Sequence, residues 1–211
     1  FGGELLASGA AGDDTPPAAC AGDERRVLRW LLAINAAMFA VELAAGWWAE
    51  SSGLLADALD MFADAAVYGT ALFAVGGGAA RRLGAARLAG VLQALLALGL
   101  FAQVGWRLAY GAEPLAGAMM AVALLALAAN VACLLLLHRH RGGGAHMRAS
   151  YLFSANDVIA NLGVIAAGAL VAVLGEAWPD WLVGSLIGAL VLWGRCASCA
   201  CARTEHGRPL R

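Results

Sequence analysis

"GLLADALDMFADAAVYGTALFAV", residues 53–75, is apolar enough to cross a bilayer, yet its first half carries Asp57, Asp60 and Asp64. One ionised side chain at the centre of a membrane costs about 3 kcal/mol on insertion scales. In a helix the three aspartates fall at i, i+3 and i+7, so a single stripe holds them all. Asp60 and Asp64 then stand one turn apart, about 6 Å along the axis, close enough for both carboxylates to reach one divalent ion. The chain contains no lysine, and no arginine falls at the centre of an apolar run to neutralise the stripe. Two states remain open to it: protonated, or bound to a cation.

The rest of the chain fits that setting. Its 211 residues are 62% hydrophobic and only 14% charged, with a mean hydropathy of +0.73, the composition of an integral membrane protein. The 14 basic and 15 acidic residues nearly balance, which argues against nucleic-acid binding. Five irregularly spaced cysteines do not make a secreted disulfide framework. Runs long enough to span a hydrocarbon core occur at about 27–49, 54–77, 86–110, 116–138, 149–174 and 179–200. The expected fold is therefore an all-α membrane protein of six transmembrane helices. Residues 1–24, small, polar and acidic, are expected to form a disordered cytoplasmic tail. Residues 25–200 form the membrane domain and 201–211 a short cytoplasmic tail, too short for a C-terminal soluble domain.

Arginines set the expected orientation, since cytoplasmic connections collect positive charge. Arg25, Arg26 and Arg29 precede the first span, Arg81, Arg82 and Arg87 follow the second, and Arg139, Arg141 and Arg148 follow the fourth. Arg195, Arg203, Arg208 and Arg211 lie at or after the end of the sixth. Only Arg107 falls on the other side, where Glu50, Glu113, Glu176 and Asp180 mark the outer connections. Both termini are thus expected in the cytoplasm. The second span then runs inward and the fifth outward, which brings Asp157 of "SANDVIAN" to about the depth of Asp64. Two helices offering carboxylates at one level make a candidate cation site, with Asn156 or water completing the shell.

Three stretches carry a family resemblance. "NAAMFAVELAAGWWAESSGLLADALDMFAD" (35–64), "MRASYLFSANDVIANLGVI" (147–165) and "WPDWLVGSLIGALVL" (178–192) resemble, in order, motifs of the cation diffusion facilitators. The resemblance spans about residues 27–198. It implies a divalent metal/proton antiporter that exports a transition metal of the zinc, cobalt, cadmium, iron or manganese class from the cytoplasm. By the same resemblance Asp60 and Asp64 stand at the metal-ligand positions of the second span, and Phe153 and Asp157 at those of the fifth. Phe153 cannot ligate, so the site keeps carboxylates and relies on Ser154, Asn156 or water, which weakens a preference for zinc. Asp57 is expected in a supporting or exit-path role. The resemblance further implies a homodimer in the inner (plasma) membrane of a bacterium. No cofactor is expected beyond the transported metal and the protons exchanged for it. Metal loading needs deprotonated ligands, so the same aspartates serve both cations in turn.

Other residues carry weaker expectations. Cys196, Cys199 and Cys201 form a CxxCxC run that could capture soft metal but more simply packs a helix end. Cys20 and Cys133 have no assigned role. His138, His140 and His146 could deliver metal, against the repulsion of neighbouring arginines. Glu42, Gln93, Gln103 and Asn130 are expected to hydrogen-bond between helices, with Glu42 also a candidate for proton movement. A non-transporting metal-binding partner is the first alternative function. A metal-dependent membrane transferase is the second, disfavoured because Met61 stands where that motif needs glycine. No nucleophile–base pair or phosphate loop suggests another enzyme.

Overall fold

The computed structural model describes residues 18–74, 79–139 and 145–205, all organised as helices and the short turns between them. Six helices follow in order: α1 Ala18–Trp48, α2 Ser52–Ala74, α3 Ala79–Tyr110, α4 Ala116–Arg139, α5 Ala145–Leu174 and α6 Trp178–Glu205. Arg25–Trp48, Gly90–Tyr110, Ala116–His138 and Asn156–Leu174 are each long and apolar enough alone to cross a membrane. The aspartates interrupt α2, and the described apolar stretch of α6 is Trp178–Leu192. Leu, Val and Trp side chains are widely exposed around the bundle, among them Val173 and Leu190, as lipid-facing surface requires. The helices outrun the apolar runs that announce them. In particular, α1 begins at Ala18, inside the segment expected to be a tail.

α2 is the central element. It packs most extensively on α1 and also touches α3, α4, α5 and α6, while α4 pairs mainly with α5. Leu54, Leu55 and Leu59 of α2 join Leu100 and Val104 of α3, Met119 and Ala123 of α4, Val164 of α5 and Ile187 of α6 in one apolar core. Small residues permit this closeness. A Cβ on Gly184 of α6 would come within 2.6 Å of the Ser52 carbonyl, so α6 lies directly against the start of α2.

The three short turns gather at one end, called here the turn end. Ala49 accepts a backbone bond from Leu115 at 3.0 Å, and Glu50 Oε2 accepts one from Glu113 at 3.2 Å. α1 stops in a Schellman arrangement, with Ser51 N–H donating to Gly46 at 3.0 Å and Glu50 N–H to Trp47 at 3.4 Å. Glu50 therefore adopts a left-handed φ of 49°, where glycine is the usual residue.

The start of α2 is capped twice. Ser51 Oγ accepts from Leu54 N–H at 3.1 Å, an N-cap within the chain. Asp180 of α6 adds a second cap across the bundle, accepting from Ser51 Oγ at 2.7 Å, Ser52 N at 2.6 Å and Gly53 N at 2.9 Å. Arg107 of α3 completes the clasp, donating to Ser52 Oγ at 2.8 Å and, more loosely, to the Gly46 carbonyl at 3.5 Å. Asp180 and Arg107 are both buried. Two residues that look like solvated loop charges thus fix α2 between α1, α3 and α6.

Candidate metal site

With its first turn clasped, α2 projects its aspartates inward at rising depth. At 1.5 Å per residue, Asp57, Asp60, Asp64 and Tyr68 lie about 8, 12, 18 and 24 Å from the helix start. Asp57 and Asp64 are buried, and Asp60 is partly so. Asp157 of α5 is also buried, and its carboxyl group lies close enough to those of Asp60 and Asp64 to interact with them electrostatically. No arginine is paired with Glu42, Asp57, Asp60, Asp64 or Asp157 among the described residues. Two carboxyl groups at such range cannot both stay ionised without a proton or a cation between them.

Glu42 of α1 sits about 9 Å from the end of its helix, level with Asp57. The two side chains have no exposed surface, and none of their four carboxyl oxygens has a hydrogen-bond partner among the described residues. They form a second tier of acid, nearer the turn end than the α2–α5 cluster.

On the opposite side of the cluster, Tyr68 donates its hydroxyl to Asp64 Oδ2 at 3.2 Å. Tyr68 packs with Leu31, Cys133 and Leu137, and Cys133 lies beside Asn35, whose amide donates to Sγ at 3.9 Å. Asn161 donates to the Asp157 carbonyl at 2.8 Å, stiffening α5 one turn beyond the acid. Sequence inspection passes over Tyr68 and Asn161, although each stands four residues after an aspartate, the spacing that makes helical neighbours. Cys133 has no such signal, since α4 is apolar all round.

The remaining expected residues separate. Asn156 is exposed, turned away from the buried face that carries Asp157. Gln93 and Asn130 are buried, and His138 is exposed. The side chains of Phe153, Ser154, His140, His146, Cys20, Cys196, Cys199 and Cys201 lie outside the described residues. Among the described residues, no three His, Cys, Asp or Glu side chains are gathered into a shell that would hold an ion as they stand.

The family model described as the cation efflux transmembrane domain matches residues 28–194. The chain belongs to the cation efflux family. That match reaches all six helices and includes the acid cluster and the turn-end clasp. Among curated proteins, none matches the chain. The family is one of multi-pass membrane transporters of metal cations.

Proposed function

We propose that the chain is a divalent metal/proton antiporter that exports a transition metal from the cytoplasm, with Asp60, Asp64 and Asp157 as its binding carboxylates. The approach of Asp157 to both α2 aspartates, with no arginine to neutralise them, carries this reading. A buried acid cluster is stable only with protons or a cation in it, so the two occupants exclude each other. Metal arriving from the cytoplasm displaces protons, and protons returning from outside displace metal. Exchange then needs no separate proton relay. Asp57 and Glu42, one tier nearer the turn end, lie on the exit side. Tyr68 orients Asp64 through its hydroxyl, and Asn156 takes no direct part because it is exposed.

Arginine distribution supports placing the turn end outside and both termini in the cytoplasm. Rocking of helices about a fixed mid-membrane site would give alternating access. The protein is assigned to the inner membrane of a bacterium and to a homodimer, on family grounds alone.

The test is metal uptake into proteoliposomes under an imposed proton gradient, with zinc, cobalt, cadmium, manganese and iron(II), comparing wild type with Asp64→Ala and Asp157→Ala. Gradient-driven flux in wild type that both substitutions abolish is the expected result. Binding without flux for every metal would refute transport and leave a metal-binding partner subunit.

A further inference from the structure

Access to the acids differs between the two ends of α2. Residues 51–59 are all buried, whichever face of the helix they occupy, whereas Asp60, Phe62 and Ala63 are partly exposed and Val67 is exposed. The turn end is therefore shut, and shut closely. A Cβ on Gly53 would come within 3.0 Å of Asp180 Oδ1, and one on Gly46 within 2.9 Å of Leu55 N. Neither α6 nor α1 leaves room beside the start of α2. Nothing passes from Asp57 to the turn end unless these helices part.

What holds them together there is polar. Arg107 of α3 and Asp180 of α6 grip Ser51, Ser52 and Gly53 through four hydrogen bonds of 2.6–2.9 Å. An apolar seal would serve a permanent closure at least as well, because burying charged groups costs desolvation that pairing seldom returns in full. A polar clasp differs in one respect. Water can replace each of its bonds, so opening it exchanges hydrogen bonds instead of exposing fresh apolar surface. The closed packing is also imperfect beside the clasp. The carboxyl groups of Glu42 and Asp57, and the indole N–H of Trp181 next to Asp180, are buried without partners among the described residues. Each such group penalises the closed state, and water entering an open turn end would satisfy them all. Exchangeable bonds around groups that gain from opening make a two-state element.

We propose that Arg107, Asp180 and the Ser51–Ser52 pair form the turn-end gate of this transporter, latched in the present structure, and that ion release on that side requires Arg107 and Asp180 to let go of α2. The proposal deepens the proposed antiport and rests on it. Arg107 and Asp180 bind no metal in this account; they position α2. While latched, the fixed positive charge of Arg107 also bars cations from entering past the start of that helix. When α3 and α6 swing away from it, the clasp groups and the acids beneath them meet water together.

A thiol placed just beneath the clasp tests this. The full chain is used with its five cysteines changed to serine. Asp57→Cys then puts one thiol at the first acid below the clasp, and Leu31→Cys puts one in the separate core with Tyr68 and Leu137. Both are treated in detergent with a charged methanethiosulfonate, and both should react slowly. Adding Arg107→Met should speed labelling at position 57 roughly tenfold or more, the population shift expected for loss of one hydrogen bond to a charged group. Position 31 should stay protected, and Arg107→Lys should restore part of the protection at 57. With Asp57 intact, Arg107→Met proteoliposomes should pass zinc, or whichever metal the parent carries, without a proton gradient while retaining a trapped sulfonated dye. Ser52→Ala, which removes the hydroxyl that Arg107 grips, repeats the comparison should Arg107→Met not fold. Unchanged labelling at 57, equal gains at 57 and 31, or no metal leak would overturn the gate while leaving antiport by the parent intact. Absence of gradient-driven flux of any metal in the parent would overturn the proposed function and the gate with it.

Discussion

Removing the buried Asp180 carboxylate should loosen the turn end of the bundle. The carboxylate accepts three hydrogen bonds of 2.6–2.9 Å from Ser51, Ser52 and Gly53. Two of the donors are backbone N–H groups at the start of α2, which otherwise end in buried space. Hydrogen bonds to a charged group contribute about 1.5–3 kcal/mol each, but the three share one acceptor and are not additive. Asp180→Ala would also take one of two nearby acids from the buried Arg107, leaving Glu50 and the hydrogen bonds to Ser52 and the Gly46 carbonyl. Breaking one side of such a buried arrangement costs about 3–5 kcal/mol, and that is the expected loss. Asp180→Asn keeps one oxygen but turns an N–H₂ group towards a backbone donor, so roughly 2–3 kcal/mol should go. Unfolding in mixed detergent–denaturant, followed by tryptophan fluorescence, measures both. A double-mutant cycle with Arg107→Met should then show positive coupling, since an apolar side chain no longer needs the missing charge. A loss under 1 kcal/mol for Asp180→Ala would show that water caps α2 unaided and that the clasp is incidental.

Gly184→Ala should destabilise by more than 1 kcal/mol, because the new methyl meets Ser52 backbone at 2.6 Å and backbone cannot rotate away; the same unfolding assay checks it. Glu42→Met should raise stability by about 1–3 kcal/mol, since both carboxyl oxygens are buried without partners among the described residues, while metal flux falls if that acid handles an exiting cation or proton. Parallel unfolding and proteoliposome measurements would expose a loss of both, which would mean the carboxyl group is structural. Tyr68→Phe removes one 3.2 Å bond to Asp64 and should cost about 0.5–1.5 kcal/mol of stability and up to about tenfold in metal affinity, measured by calorimetric titration. Glu50→Gly should stabilise by about 0.5–1 kcal/mol, because glycine adopts the left-handed φ of 49° without strain and the bond lost to Glu113 is exposed.

What the sequence discloses divides along physical lines. Helices of twenty or more apolar residues announce themselves, because a bilayer demands length and hydrophobicity and little else. The Asp57–Asp60–Asp64 stripe is equally open, since its meaning lies in the helical period of one segment. Asp157 is found by counting depth on an antiparallel helix, a relation that needs topology but no side-chain packing. Asp180 and Arg107 escape that kind of reasoning. Their partners lie 127–129 and 55–61 residues away, and alone each looks like a charge in a wet loop. Cys133 escapes for the opposite reason, as a small apolar-looking residue in a helix with no polar face. The same distinction bears on function. The aspartates, as the proposed ligands, would be at home with any divalent ion, and hard carboxylates alone discriminate poorly among transition metals. Choice between metals has to come from tertiary packing around such acids, which no single helix reports. Family membership can therefore be legible along the chain while the preferred metal is decided where helices meet.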